Sequence, residues 1–284
     1  MSVARQIGRR LVPPSVKAWI RKQVAPTPRP PRPPSPKQLQ IAEVVEHLQG
    51  KVPIHTMPSF AGDDLVSWHN PEFLDDPDFI RAVEMGNARQ SWDLRRDVRW
   101  RYHVILWAAR RGARLEGDFV ECGVNRGGFS RAVVEALDFA GLDRTFYLMD
   151  TFNGLAEEYI TAGERERGVS RETFAKYTES YDDVREAFAA FPNVTLIRGP
   201  IPDTLTQVMP EKVAYLSIDM NTTIPEIAAA THFWPRLVTG AVMILDDYGH
   251  KASFEQKHAF DSFAADRDVE VLMLPTGQGL IIKP

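Results

Sequence analysis

The sequence predicts an α/β protein with a doubly wound, mostly parallel sheet of seven strands, closed by a C-terminal hairpin and preceded by a helical region. Short apolar runs alternate with helical patterns after residue 112, which is the signature of a parallel sheet. Most of these runs are continuously apolar, as in strands that are covered on both faces. The last two runs are separated by only three residues, Thr276 to Gln278, which is typical of a hairpin.

The individual elements follow from these patterns. The predicted strands cover residues 118–123, 145–150, 194–199, 213–219, 241–247, 269–275 and 279–284. The predicted helices between them cover residues 130–139, 171–191, 225–237 and 254–266. Ligands of an open sheet bind beyond the carboxyl ends of its strands, so the site is expected there.

The region before the sheet is predicted to be mainly helical. Apolar side chains recur at helical spacing in residues 94–110, where Tyr102 and Ile105 share one face. Residues 51–70 show no sustained period, so we expect a loop or lid that crosses the surface. The predicted organisation is a basic proline-rich tail and linker (1–37), a helical cap (38–112) and the sheet domain (113–284).

The N-terminal tail differs from the rest of the chain. Residues 26–36 contain seven prolines, which favour an extended polyproline II linker over a packed element. The spacing in residues 15–24 fits a short helix with one apolar and one basic side. Two interpretations stay open, namely weak contact of residues 1–24 with an anionic membrane surface, or a solvated tail with little structure.

Composition excludes several classes of protein. The chain has 284 residues, of which 44% are hydrophobic, and this excludes a collagen or a wholly disordered chain. Its one cysteine, Cys122, cannot form an internal disulfide, and we interpret it as a core residue. No apolar run reaches the length of a membrane span, and no signal peptide is visible. We therefore expect a cytoplasmic location, at most peripheral to the inner face of the membrane.

The net charge of −4 is unevenly distributed. Residues 1–37 hold nine Lys or Arg and no acidic residue, which leaves 25 basic and 38 acidic residues in the other 247. Such an acidic body argues against binding of nucleic acid. The expected partner is a small molecule or glycan, and a homo-oligomer is left open.

A glycine-rich turn follows the first predicted strand. Glu121 ends that strand, and Gly123, Gly127 and Gly128 follow, so the backbone is able to approach a ligand closely. The pattern is not GxGxxG, and a carboxylate before the turn would repel a pyrophosphate. It suits a ligand with a positively charged amino group.

Asp150 ends the second predicted strand, 29 residues after Glu121. A carboxylate at this position is able to accept hydrogen bonds from both hydroxyls of a ribose. A turn or cap aspartate is the alternative. A ligand that carries both an amino acid and a ribose is S-adenosylmethionine, which Glu121 and Asp150 together favour over NAD.

Three carboxylates follow two further strands. Asp219 ends the fourth strand, and Asp246 and Asp247 end the fifth. Hard oxygen ligands suit Mg²⁺, which keeps waters that a substrate diol is able to displace. The alternative for each aspartate is a helix cap or a loop turn.

Four segments that carry these residues resemble a known family. GDFVECGVNRGGFS, RTFYLMDTFNGL, LSIDMN and GAVMILDDYG look like class I S-adenosylmethionine-dependent methyltransferases of the macrocin O-methyltransferase family, from about residue 115 onward. The resemblance implies a Rossmann-like methyltransferase sheet and a magnesium ion that holds two vicinal hydroxyls of a deoxysugar, one of which is methylated. The candidate cofactor-binding residues are Glu121, Gly123, Asn125, Gly127, Ser130, Asp150, Thr151, Phe152 and Gly199.

The spacing is also similar to that of catechol O-methyltransferases, with one departure. That family has a lysine base three residues after the first metal aspartate, whereas this chain has Thr222. The general base is therefore expected to be Asp219, with His250 as the second candidate. Asn221 and Glu226 are candidates for substrate contact or for capping the helix that opens at Pro225. Four residues of the helical cap are expected to line the cleft, namely Trp92, Asp93, Trp100 and Arg101, and amphipathic packing would equally explain Trp100.

The leading hypothesis is an enzyme, a magnesium-dependent O-methyltransferase that acts on a sugar or polyol hydroxyl of a glycan or glycosylated natural product. Two alternatives are an NAD-linked oxidoreductase and a non-enzymatic scaffold that recruits a partner through the proline-rich arm. The absence of GxGxxG counts against the first alternative, and the presence of the full set of carboxylates counts against the second.

Overall fold

The structure is a computed structural model that describes residues 36, 39, 40, 43, 44, 58–88, 97–174, 176–177 and 179–284. The predicted proline-rich linker, the segment 15–24, Trp92 and Asp93 lie outside the described residues. Among the helices of the described part, none has both the length and the apolar character that a bilayer crossing requires.

The strands form one small and one large sheet. The small sheet is a hairpin of β1 (Phe60–Gly62) and β2 (Leu65–Ser67). The large sheet has the order β5-β4-β3-β6-β7-β9-β8. Its strands are β3 (Asp118–Cys122), β4 (Phe146–Asp150), β5 (Val194–Arg198), β6 (Val213–Ile218), β7 (Leu237–Leu245), β8 (Leu272–Met273) and β9 (Gly279–Ile282). The first five are parallel and the last two antiparallel, which confirms the predicted sheet and its closing hairpin.

The α-helices cover both faces of the large sheet. They are α1 (Pro77–Asn87), α2 (Arg99–Gly112), α3 (Gly128–Leu137), α4 (Ala162–Glu166), α5 (Tyr181–Phe188), α6 (Thr223–Phe233) and α7 (Phe254–Ala265). Successive strand side chains point to opposite faces, so Phe119 and Tyr215 join a core with α1, α2, α3 and α5. Val120 and Leu216 join a second core with α6 and α7. The fold is therefore doubly wound, as predicted.

Helix α2 is part of the layer that covers the sheet. Its predicted apolar face is buried, with Tyr102 and Ile105 both 0% exposed. These side chains share one core with Phe119 of β3 and Ile244 of β7. The predicted boundary at residue 112 therefore falls between elements of a single hydrophobic core.

Three predicted elements differ from the structure, and one of them is the strand predicted over residues 269–275, which is limited to Leu272–Met273. The described part of the predicted loop or lid at 51–70 contains the β1–β2 hairpin, and Phe60 of this hairpin is buried against Trp100, so residues 58–70 are not an irregular surface loop. The predicted helix 171–191 is helical only over Tyr181–Phe188. The described residues 171–174, 176 and 177 form turns and a bend, and the Arg171 side chain donates to the Asn153 carbonyl.

Candidate functional site

A cleft lies at the carboxyl ends of β3, β4, β5 and β6, where ligands of an open parallel sheet bind. Four loops supply most of its described lining, residues 123–125, 149–156, 199–201 and 219–222. Of the predicted cofactor-binding residues, the lining contains Gly123, Asn125, Asp150, Thr151, Phe152 and Gly199.

The glycine-rich turn is tightly packed at two positions. Gly123 has a φ of +93°, and a Cβ there would lie 1.9 Å from the carbonyl oxygen of Asp219. Gly127 has a φ of +77° and precedes α3, and a Cβ there would lie 2.7 Å from the Phe188 ring. Both positions require glycine, because a side chain would add backbone strain and a steric clash. The turn thus brings the β3 loop against the loop after β6.

The Asp150 carboxylate holds the glycine-rich turn. It accepts hydrogen bonds from the backbone amides of Val124 (2.6 Å), Asn125 (2.7 Å) and Phe152 (2.6 Å), and from the Thr151 hydroxyl (3.2 Å). Burial raises the pKa of Asp150, and these hydrogen bonds oppose the rise. Because four donors already surround the two oxygens, ribose hydroxyls would share or displace them. Asp150 lines the cleft as predicted and also fixes the loop.

Glu121 lies away from the cleft wall. It shares the face of β3 with Phe119, so its side chain points under α2 and is 2% exposed. Burial raises its pKa to about 8, and its Oε2 has no hydrogen-bond partner among the described residues. Ser130 and Gly127 are also absent from the described lining. Glu121 is not part of the described lining, so its side chain is not in position to contact an amino group of a ligand in the cleft.

Three predicted metal ligands come together at the edge of the cleft. Asp219, Asp246 and Asp247 each offer an oxygen, and these oxygens lie within 4.8 Å of one another. We call these three residues the acidic cluster. Burial and the charges of the other two carboxylates raise the pKa of Asp219 well above its usual range. Burial and Asp246 likewise raise the pKa of Asp247. Such a cluster attracts a cation, so the residues fit the predicted magnesium ion.

One buried guanidinium already contacts the acidic cluster. Arg101 of α2 donates to Asp246 Oδ2 at 2.5 Å and to Asp63 Oδ2 at 2.5 Å. Burial alone would lower the pKa of Arg101, but Asp246 and Asp63 raise it. Arg101 Nη2 also lies 2.7 Å from His250 Nε2. Because a guanidinium only donates, His250 Nε2 accepts here, and this nitrogen is blocked as a general base.

Several candidates occupy other positions. Trp100 packs against Phe60 and Phe73, away from the described lining, so amphipathic packing explains it. Asn221 lines the cleft, and its Nδ2 lies 3.4 Å from Asp219 Oδ1. Glu226 is buried and accepts from the Met220 amide at 3.2 Å, so it supports the loop after β6.

Sequence reasoning missed three residues at the site. Gln278 is fully buried and donates to Asp246 Oδ1 at 2.9 Å. Asp63 is 5% exposed at the tip of the β1–β2 hairpin. Tyr177 lines the cleft, where burial and Asp219 raise the pKa of its hydroxyl. For Gln278 the only indication in the sequence was a glutamine in the closing hairpin. No periodic pattern pointed to Asp63 or Tyr177.

The fold and the cleft at its strand ends define a Rossmann-like methyltransferase domain. The solved structure of the O-methyltransferase NovP is similar, with a TM-score of 0.57 and 26% sequence identity, over 64% of this chain and 79% of NovP. A family model described as Macrocin-O-methyltransferase (TylF) matches residues 108–274. The chain belongs to this family, as the sequence motifs indicated.

Two curated relatives are similar to the chain. Mycinamicin III 3''-O-methyltransferase of Micromonospora griseorubida is 29% identical in an alignment of 171 residues that covers 56% of this chain and 65% of that protein. Demethyldecarbamoylnovobiocin O-methyltransferase of Streptomyces niveus is 30% identical over 146 residues, 48% of this chain and 55% of that protein. The matched regions therefore span between about half and two thirds of these relatives.

Proposed function

We propose that this protein is an S-adenosylmethionine-dependent O-methyltransferase that uses magnesium and methylates a sugar or polyol hydroxyl of a glycan or glycosylated natural product. The observation that carries the proposal is the junction of the cleft with the acidic cluster. Asp219 belongs to both, since it lines the cleft and lies among the three carboxylates.

The cleft fits the proposed methyl donor. The turn that begins at Gly123 presents backbone to the cleft, and Asp150 offers carboxylate oxygens beside it. Phe152 and Ile201 add apolar surface on the same lining, which suits the flat face of a nucleobase. A ligand with a polar amino-acid end and an aromatic base would thus meet matching surfaces.

The acidic cluster fits the proposed metal and supplies the base. When bound, S-adenosylmethionine supplies an electrophilic methyl group, and magnesium supplies a positive charge that favours ionisation of an acceptor hydroxyl. Asp246 and Asp247 would hold the cation together with one oxygen of Asp219. A carboxylate oxygen of Asp219, at the cleft wall, would receive the hydroxyl proton. Alignment of the acceptor with the donor methyl would contribute much of the rate enhancement.

The relatives support this class of acceptor. The names of both curated relatives describe O-methyltransferases, and one specifies the 3'' position of mycinamicin III. We infer an acceptor with vicinal hydroxyls for this chain, because a magnesium ion at the acidic cluster would keep waters that two neighbouring hydroxyls are able to displace. Membership of a methyltransferase family favours this function over an NAD-linked oxidoreductase or a scaffold.

The proposal is tested by turnover and binding on the full chain. S-adenosylmethionine is incubated with a panel of nucleotide sugars and lipid-linked glycans, and S-adenosylhomocysteine formation is measured with EDTA and with added Mg²⁺. We expect EDTA to stop turnover, Mg²⁺ to restore it, and calorimetry to show that the donor still binds in EDTA.

Two variants sharpen the test. Asp219→Asn should lower turnover by about 100-fold or more, because it removes the proposed base and a cation ligand. Glu116→Gln is the matched control, since Glu116 is 79% exposed in a surface pair with Lys212. Full turnover in EDTA would overturn the metal assignment, and absence of donor binding would overturn the methyltransferase assignment.

A further inference from the structure

The tip of the β1–β2 hairpin carries a buried carboxylate in a costly backbone conformation. Gly62 pairs with Leu65, so Asp63 and Asp64 form a two-residue turn. Their φ angles are +48° and +60°, a region that asparagine and glycine favour in such turns. The Asp63 side chain is only 3% exposed. A charged group at a hairpin tip is normally solvated, so its burial needs a specific partner.

That partner connects the hairpin to the acidic cluster. Arg101 donates through Nε to Asp63 Oδ2 and through Nη1 to Asp246 Oδ2, both at 2.5 Å. The side chains of Arg101 and Asp246 are 6% and 5% exposed. The three residues thus form a buried chain of alternating charges, where charge interactions are screened much less than at a surface.

The orientation of the Asp246 carboxylate is fixed by two buried donors, Arg101 and Gln278. Its Oδ2 accepts from Arg101, and its Oδ1 accepts from Gln278 at 2.9 Å. A carboxylate oxygen has two acceptor positions, so each oxygen keeps one for a cation. Arg101 and Gln278 therefore aim Asp246 at the cluster without using up its capacity to bind metal.

The same arrangement places a positive charge beside a proposed cation site. The Arg101 guanidinium would repel a divalent cation on Asp246, and the negative charge of Asp63 on its other side offsets part of that repulsion. The net effect on cation affinity thus depends on whether the hairpin tip is in place.

We propose that Asp63 and Arg101 are positioning residues that couple the divalent-cation affinity of the acidic cluster to the seating of the β1–β2 hairpin. This inference rests on the proposed metal site and adds to it. It implies that cation binding and hairpin closure reinforce each other, as linkage requires of two coupled events.

The test measures Mn²⁺ binding to the full chain by electron paramagnetic resonance, without any turnover. Asp63→Asn should bind Mn²⁺ about tenfold more weakly, because the Arg101 charge is then less compensated. Asp63→Glu keeps the charge and should recover most of the affinity. A purely structural role predicts instead that Asp63→Glu is as damaging as Asp63→Asn.

A matched control packs against the same hairpin from the residues that precede α2. Asp97 packs directly against Gly62, since a Cβ built on Gly62 would lie 2.6 Å from the Cβ of Asp97. Asp97 also forms an ion pair with Arg99 at 2.5 Å, and it makes no described contact with the acidic cluster. Asp97→Asn should bind Mn²⁺ as the unmodified protein does. Equal weakening in Asp97→Asn and Asp63→Asn would overturn the coupling.

Hydrogen exchange gives a second readout, in which the unmodified protein alone can already contradict the coupling. Mn²⁺ should increase amide protection in residues 60–67 of the unmodified protein, and this increase should be smaller in Asp63→Asn. Unchanged protection with Mn²⁺ bound would overturn the coupling while leaving the metal site intact. Failure of the unmodified protein to bind Mn²⁺ would instead overturn the proposed metal site.

Discussion

Gly123 and Asp219 join the two halves of the candidate site through direct backbone contact. A Cβ on Gly123 would lie 1.9 Å from the Asp219 carbonyl oxygen, and the Asp219 amide donates to the Cys122 carbonyl at 2.8 Å. The glycine-rich turn and the loop of the acidic cluster therefore cannot move apart independently. A change in the conformation of one loop should therefore displace the other loop.

Gly123→Ala should damage both binding functions at once. The new methyl group clashes with backbone, and the φ of +93° is unfavourable for alanine, so we expect a loss of stability of about 2–4 kcal/mol. Binding of S-adenosylmethionine and of Mn²⁺ should both weaken. Urea unfolding and calorimetry measure these effects. Gly141→Ala is the control, because a Cβ built there would lie 4.0 Å from its nearest neighbour. Similar losses of stability and binding in both variants would contradict the role of Gly123 in joining the two loops.

Asp150→Asn should weaken donor binding by about 2 kcal/mol, roughly 30-fold. The amide loses the charge that holds the Val124 and Asn125 N–H groups, so both the turn and the proposed ribose contacts suffer. Calorimetry with S-adenosylmethionine measures the change. Asp118→Asn is a suitable control, because Asp118 also accepts a backbone N–H, from Thr145 at 2.8 Å, but away from the cleft. Unchanged affinity in Asp150→Asn would place the ribose elsewhere.

Glu121→Gln should make the protein more stable at high pH. Burial raises the pKa of Glu121 to about 8, above its value in an unfolded chain, so its protonated form favours folding and this contribution is lost as the pH rises through 8. At pH 9 the free energy of unfolding of the variant should exceed that of the unmodified protein by a few kcal/mol, at about 1.4 kcal/mol for each unit by which the pKa is raised, and this difference should shrink toward pH 5. If Glu121→Gln raised the free energy of unfolding equally at pH 9 and pH 5, the buried Glu121 carboxyl would not titrate as proposed.

His250→Gln should keep turnover within about tenfold of the unmodified protein. Arg101 already donates to His250 Nε2 at 2.7 Å, and a glutamine oxygen is able to accept the same hydrogen bond. Steady-state assays with saturating Mg²⁺ measure the effect. A loss as large as that of Asp219→Asn would instead make His250 the base.

The sequence predicted the sheet and the acidic cluster because both follow local rules. Apolar runs mark buried strands, and aspartates at the ends of adjacent parallel strands must meet at one edge. Asp219 and Asp246 were found in this way, since β6 and β7 are neighbours. The membrane contact, the cytoplasmic location and any homo-oligomer stay predictions.

The buried polar chain escaped prediction because its members are distant in sequence. Arg101 and Asp246 are 145 positions apart, and Asp63 lies in a segment without helical or strand periodicity. The position of Glu121 was missed for another reason. Successive side chains of β3 point to opposite faces of the sheet, and Glu121 lies on the same face as Phe119. Its carboxylate therefore lies under α2 and does not face the cleft.

The segment between β4 and β5 is anchored by a carboxylate that serves two helices. Glu164 accepts from the Thr161 amide at the start of α4, and from the Thr223 amide and hydroxyl at the start of α6. Leu155 and Ala156 of the same segment line the cleft. Swinging this wall aside would break the contacts of Glu164 with Thr223 at the start of α6, at about 1 kcal/mol, whereas the capping box inside α4 would move with the segment. Ligand exchange by that route would therefore be slowed, and the resulting longer residence favours retention of the donor while an acceptor is sampled.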